Sequence, residues 1–260
     1  MAELPEQLPQ SAPALPGAHL LFTPDSFIPR LAERLSGLSD PREIRAATVA
    51  MLAQAREGAM ADIEAGLDSH PRAARETVRA IAALTDATIT AVHHVATQIL
   101  HPQPNPTDAE RLAVLAIGGY GRAEMAPKSD VDLLLLTPWK VTSWAESIVE
   151  SMLYMLWDLK LKIGQSTRSI DDCIRLAGED MTIRTSLLEH RLICGHAPTA
   201  ETLRERLWSE LFDHSIPEFI EAKLAERAER HRRQGGQRYV LEPNVKEGKG
   251  GLRDLQTLFW

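Results

Sequence analysis

Residues 116–136 read AIGGYGRAEMAPKSDVDLLLL. An acid pair, Asp130 and Asp132, opens an apolar run that follows a glycine-rich turn. A strand flanked by leucines is most buried along that run, so two charges at its start need a physical reason. Side chains alternate faces along a strand, which puts residues two apart on the same side. Asp130 and Asp132 are therefore expected as neighbours, and carboxylates so close repel each other unless a cation neutralises them.

Magnesium suits such a pair, because it takes hard oxygen ligands, keeps several waters and shares its shell with substrate phosphates. Carboxylates bridged by metal ions about 3.5–4 Å apart are the apparatus of two-metal phosphoryl or nucleotidyl transfer. The glycines supply the complementary half: without a Cβ, Gly118 and Gly119 let backbone N–H groups approach phosphate oxygens. The stretch is neither a Walker loop nor a dinucleotide fingerprint, since GxxxxGK[ST] and GxGxxG are both absent. Alone, a GG pair reads as a turn and an exposed DxD as solvated loop. Joined, with DxD running straight into LLLL, they read as one site.

Around this stretch, LAVLAI (112–117) and VDLLLLT (131–137) are short continuous apolar runs, read as two buried strands. After Pro138, SWAESIVESMLYMLWDL repeats apolar residues at helical spacing, with Ile148, Met152, Met155 and Leu159 on one side. KLKIGQSTRS is expected as a third strand, and 171–233 as mostly helical with interruptions near 195–198 and at Pro217.

Upstream, the first 18 residues hold four prolines and little large apolar content, so they are expected to form a flexible tail. SDPREI marks a helix start, with Asp40 as N-cap, Pro41 in the first turn and Glu43 as a capping-box acid, opening a helix over 41–67. Past SHP at 69–71, Val78, Ile81, Ile89, Val92 and Ile99 recur at helical spacing up to Pro102, giving a helical hairpin. HPQPNPTD (101–108) cannot be helix interior and separates the hairpin from the strands.

The composition, 44% hydrophobic and 25% charged, is that of an ordinary globular chain long enough for a sizeable core. A net charge of −7 argues against a general nucleic-acid binder, although a local basic patch stays open. No apolar run approaches the roughly 18–20 residues that span a bilayer, and the N-terminus lacks the order of a secretion signal, so a cytoplasmic protein without membrane contact is expected. Cys173 and Cys194 form no CxxC pair, so neither a disulfide framework nor a thiolate zinc site is indicated.

The GG–spacer–DxD arrangement resembles the polymerase β-like nucleotidyltransferase superfamily. More closely, GGYGRAEMAPKSDVDLLLL resembles the signature of bacterial PII uridylyltransferases, and EPNVKEGKGGLRDLQTLFW (242–260) resembles a second segment of that family. KIGQSTRSIDDC and DMTIRTSLLEHRLICG fit the region between, so the resemblance covers roughly 40–260. It implies an α/β fold, a small mixed sheet with an N-terminal helical hairpin and a C-terminal helical segment. The expected organisation is a tail over 1–18, a helical region over 19–104, a nucleotidyltransferase core over 105–198, and a truncated helical segment with a glycine-rich loop over 199–260.

The implied activity is transfer of UMP from UTP to a tyrosine of the PII nitrogen-regulatory signal protein, with a two-metal Mg2+ site. Carried onto this chain, Asp130 and Asp132 hold the metals, Gly118 and Gly119 cradle the triphosphate, and Ser129 adds a hydrogen bond. Lys246 and Arg253 are candidate phosphate or acceptor contacts, or else solvated charges of a turn. Arg122 and Glu124 either orient the glycine turn or pair with each other. The superfamily's third carboxylate is not assigned: KLKIG carries no acid, while Asp158, Asp171, Asp172 and Asp180 are candidates that read equally as caps or surface acids. The family's HD-type phosphohydrolase and ACT domains are not expected here, since no His-Asp dipeptide occurs in the 260 residues. The alternatives are a nucleotidyltransferase with another acceptor or nucleotide, and a non-catalytic fragment that binds UTP or PII.

Overall fold

The structure, a computed structural model, describes residues 23–235, 242 and 244–260. The tail expected over 1–18 lies outside the described residues. The chain divides into two compact units, one of residues 1–169 and 189–200, the other of 170–188 and 201–260.

The first unit begins with three helices. Helix α1 (Pro24–Leu35) is closed by a reciprocal capping box between Thr23 and Ser26. Helix α2 (Pro41–Ser69) starts where the sequence places it: the Asp40 carboxylate accepts the Arg42 N–H at 2.9 Å and Pro41 occupies the first turn. Helix α3 (Ala74–His94) continues into a π-helical segment, Val95–Leu100, that stops before Pro102. Phe27, Leu31 and Leu35 of α1, Leu52 and Ile63 of α2, and Leu84, Ile89 and Val92 of α3 are buried in a shared core. The expected hairpin is thus α2 and α3, joined by α1.

A four-stranded mixed sheet follows, built from β1 (Ala113–Ala116), β2 (Val131–Thr137), β3 (Ile163–Ser169) and β4 (Arg191–Gly195) in the order β3-β2-β1-β4. Strand β1 runs antiparallel to β2 and β4, whereas β2 and β3 are parallel. That parallel pair needs a crossover, supplied by helix α5 (Ser143–Asp158), whose first turn is capped by the Thr142 hydroxyl. Val114, Ala116, Val131, Leu133 and Leu135 turn one sheet face into the core with Ile148, Met152, Met155 and Leu156 of α5. Burial of each valine, leucine, isoleucine or methionine in this set contributes about 1.5–3 kcal/mol. Because Leu134 and Leu136 are buried on the other face as well, the register of β2 is marked by Asp132, the one residue of the strand that is not buried. The same register puts Asp132 on the opposite face.

Strand β4 corrects the expectation of a mostly helical chain over 171–233 with interruptions only near 195–198 and at Pro217: the residues leading into the first interruption, Arg191–Gly195, are strand. RLICG begins with a cation, ends in glycine and shows no clean alternation, so nothing local announces a strand. Pairing with β1 makes it one, through a register shift between Val114 and Leu115.

The second unit contains α6 (Ile170–Glu179), α7 (Met181–Leu188), a π-helical segment at Trp208–Phe212, α9 (Asp213–Arg233) and α10 (Leu252–Phe259), together with most of α8 (Ala197–Leu207). Arg184 staples α7 to α6, donating to Ala177 O at 2.8 Å and Gly178 O at 3.1 Å. The interruption expected at Pro217 takes the form of a kink in α9: Ser215, two residues earlier, leaves helical geometry at φ −122° and ψ 16°, and the helix resumes through Pro217. Asp254 ties α10 to α9 by accepting from Arg230 at 2.7 Å and from His231 at 2.9 Å. Among the described residues, no helix is long and apolar enough to cross a membrane.

Candidate active site

The sequence GGYG folds as a single helical turn, α4 (Gly118–Gly121), directly after β1. Gly118 has φ +58°, a left-handed conformation that glycine adopts without the Cβ penalty. Antiparallel pairing of β1 with β2 brings this turn beside the acid pair, and Ile117 N donates to Asp132 O at 3.1 Å. A Cβ built on Gly118 would lie 3.8 Å from Asp132 Oδ2.

On the other flank of β2, Asp132 is in register with Gly164 of β3. A Cβ at Gly164 would stand 2.4 Å from Asp132 Oδ1, where no real Cβ fits unless the carboxylate shifts. The Asp132 carboxylate thus lies between two positions without side chains, with space beside each oxygen. Burial first, and then the neighbouring Asp130, raise its pKa above the usual carboxylate range. Neither carboxylate has a hydrogen-bond or ion-pair partner among the described residues. Ser129 closes the turn before them through its N–H to Ala126 O at 3.1 Å.

This set fits a hard divalent cation: anionic oxygens, uncompensated charge, and a space that a Cβ at Gly164 would fill. Among the described residues no group of three or more His, Cys, Asp or Glu side chains could hold a metal. An ion here would take two carboxylates from the protein and its remaining oxygens from water and nucleotide, the mode magnesium favours.

Further contacts hold the glycine turn, and of the residues that make them the sequence pointed only to Arg122 and Glu124. The buried Tyr120 side chain donates its hydroxyl to Asp86 Oδ1 of α3 at 2.6 Å. Arg191 of β4 grips the same carboxylate with two bonds, 2.8 and 3.0 Å, and donates to Tyr120 O at 3.4 Å. Its guanidinium also stands 5.6 Å from the Tyr120 ring centroid, within cation–π range. Burial and then Asp86 push the Tyr120 phenol far above its ordinary pKa, so it remains a donor. Arg122 meets Glu189 at 2.5 Å and Glu124 at 3.6 Å, which makes it a brace between the turn and the segment entering β4. Gly121 completes the brace, because a Cβ there would stand 1.8 Å from Glu189 O.

The other candidate acids have structural partners or positions. Asp158 is the last residue of α5. Asp171 pairs with Arg206 at 2.6 Å and Asp172 with Arg175 at 3.3 Å. Asp180 caps α7 by accepting from Thr182 N and Ile183 N at 2.6 and 3.0 Å. Strand β3 itself carries no carboxylate.

Lys246 and Arg253 belong to the second unit. Their loop is organised from within: the Asn244 side chain accepts from Lys246 N and Glu247 N, and Gly250 N donates to Asp254. Arg253 lies 3.5 Å from Glu247 and 3.3 Å from Gln256, while Lys246 is exposed.

Comparison with known proteins bears on both units. The glutamate-ammonia ligase adenylyltransferase family model matches residues 18–164, more than half of the chain. The GlnD PII-uridylyltransferase family model matches residues 218–260. A bifunctional uridylyltransferase/uridylyl-removing enzyme of Cereibacter sphaeroides is 61% identical over 225 residues, which are 86% of this chain and 24% of the relative. Enzymes of the same description from Ruegeria pomeroyi and a Bradyrhizobium strain are 54% and 46% identical over 92% and 98% of the chain, or 26% and 27% of their own lengths. The chain spans about a quarter of the length of these curated relatives.

Proposed function

The chain belongs to the nucleotidyltransferases that these two models describe, and within them to the family of bifunctional uridylyltransferase/uridylyl-removing enzymes; on that premise we propose that it transfers UMP from UTP to a tyrosine of the PII signal protein. The observation that carries this reading is the Asp130–Asp132 pair, without a cationic partner among the described residues, with Asp132 flanked by Gly118 and Gly164. The small mixed sheet is then a polymerase β-type nucleotidyltransferase core working in the cytoplasm.

Asp130 and Asp132 would hold Mg2+, which neutralises the triphosphate and the charge that builds on the departing pyrophosphate. Gly118 and Gly119 offer backbone N–H groups without side chains to obstruct the phosphates, and Ser129 adds a hydroxyl beside the acids. The tyrosine oxygen forms a bond to the α-phosphorus, the bond to pyrophosphate breaks, and the hydroxyl proton is released. The Asp86–Tyr120–Arg191 network keeps the glycine turn in place while charge moves, so little reorganisation accompanies the step. Lys246 and Arg253, in the loop of the second unit, are proposed as cationic contacts to phosphate or acceptor, with solvated charges of that turn as the alternative reading.

The adenylyltransferase match favours a second reading in which the donor is ATP. Incubating the chain with PII and each of the four α-labelled nucleoside triphosphates, with magnesium or with EDTA, separates the two. Label reaching a PII tyrosine from UTP alone, and only with magnesium, is expected. Label from ATP instead establishes adenylyl transfer, and UTP binding without transfer leaves a non-catalytic nucleotide-binding fragment.

A further inference from the structure

Strand β3 is an edge of the sheet, seven residues long and free of proline. The bond from Val131 N to Lys162 O sets the phase of the β2–β3 ladder: Gly164, Ser166 and Arg168 turn their backbone groups toward β2. Gln165 and Thr167 therefore point their N–H and C=O groups outward, and no described strand pairs with them. Proteins usually blunt such an edge, whereas a bare one is a template for an added strand.

The surroundings of this edge are asymmetric. On one face Gly164 lies against the Asp132 carboxylate, with no side chain between the edge and the acid. On the other face Thr167 shares a groove of about 450 Å³ with Glu146, Glu150, Tyr154 and Trp157 of α5. Tyr154 and Trp157 are 47% and 49% exposed and meet edge to face at 5.9 Å, an aromatic pair presented to solvent. Glu146 and Glu150 are exposed, and no cation pairs with them among the described residues.

We propose that the acceptor protein docks as an extended segment along the free edge of β3, with its tyrosine on the Asp132 face over Gly164 and its alternate side chains in the α5 groove. This inference rests on the transfer reading above and names how that site receives its acceptor. Alternation of side chains along an added strand sends the tyrosine to one face and its neighbours to the other. A tyrosine hydroxyl reaches about 6.5 Å from its Cα, and strands lie about 4.8 Å apart, so the hydroxyl spans Gly164 toward the carboxylate. The carboxylates of Glu146 and Glu150 select a segment with lysine or arginine on the groove face, and Tyr154 and Trp157 select an apolar residue beside it.

The test uses the full chain with Mg2+-UTP and PII. Gln165→Pro removes an outward N–H and leaves the ladder to β2 intact; Trp157→Ser and the pair Glu146→Lys, Glu150→Lys change only exposed side chains. Each is expected to raise the KM for PII by about tenfold or more, the scale of one or two lost interactions, with UTP affinity as the control for folding. Hydrogen exchange at the Gln165 and Thr167 amides is expected to slow when PII binds. Transfer with an unchanged KM in all three variants and no amide protection overturns edge docking while leaving the transferase intact. Absence of transfer to PII by the unaltered chain sinks the transferase reading and edge docking with it.

Discussion

The Tyr120 hydroxyl, in the middle of the glycine turn, donates at 2.6 Å to Asp86, a residue 34 positions upstream on a different helix. Because Arg191 holds the other side of the same carboxylate, the turn is positioned by a three-element contact rather than by its own backbone.

Removing different members of that contact should have unequal effects. Tyr120→Phe deletes one hydroxyl and leaves Asp86 paired with Arg191, at a cost of about 1 kcal/mol. Asp86→Ala strands a buried phenol and a half-buried guanidinium together, at a cost of about 2–4 kcal/mol. Urea denaturation of both variants checks the order, and equal losses would show that the carboxylate is not the hub. Transfer activity should fall more for Asp86→Ala at temperatures where both variants remain folded.

The two close-approach glycines should separate stability from function. At Gly121 the obstacle is the Glu189 backbone carbonyl, which cannot swing away, so Gly121→Ala should destabilise the first unit by about 1–3 kcal/mol or more. At Gly164 the obstacle is the Asp132 carboxylate, the end of a side chain, so Gly164→Ala should leave the melting temperature within a few degrees of the parent. Moving that carboxylate should nonetheless lower kcat/KM by about a hundredfold, the scale of a roughly 1 Å misplacement at a reacting centre. A Gly164→Ala chain with full activity would remove Asp132 from the metal site.

Local signals made part of this legible. Asp40 and Pro41 announce a helix start within three residues, and 131–137 announces a buried strand by its own apolarity. The acid pair was visible because charge beside four leucines contradicts the pattern around it. Gly164 was not visible: its significance lies in a register partner 32 positions away across the β2–β3 ladder. Strand β4 and the Arg191–Asp86 pair, 105 positions apart, are likewise products of long-range pairing that no local window contains.

Metal and nucleotide should change stability through Asp132. Its folded-state pKa is raised, so the folded protein binds that proton more tightly than the unfolded chain. The ionised carboxylate therefore lowers stability above the folded pKa, and the loss is relieved as pH falls through it. Asp132→Asn should raise the melting temperature at neutral pH, and the gain should vanish in acid. Mg2+-UTP at about 100 times its Kd should stabilise the parent by about 2.7 kcal/mol and the variant far less. Differential scanning fluorimetry with and without EDTA reads both effects, and equal stabilisation of parent and variant would place the ion elsewhere.

Acid should destabilise the first unit through α3. Burial, and then the charge of His94, lower the His93 pKa to about 4. The unfolded imidazole titrates near 6.5, so between about pH 6.5 and 4 the unfolded chain binds a proton that the folded one excludes, and stability falls as pH drops through that window. The full loss is on the order of 3 kcal/mol at most, opposite in sign to the relief at Asp132. His94, also lowered by burial, adds to it. His93→Gln should flatten the decline measured by chemical denaturation at pH 7, 5.5 and 4.5, without changing the Asp132→Asn difference, because His93 on α3 and Asp132 on β2 are each shifted first by their own burial and then by different neighbours, His94 and Asp130. A decline of unchanged slope in His93→Gln would assign the acid sensitivity to other groups.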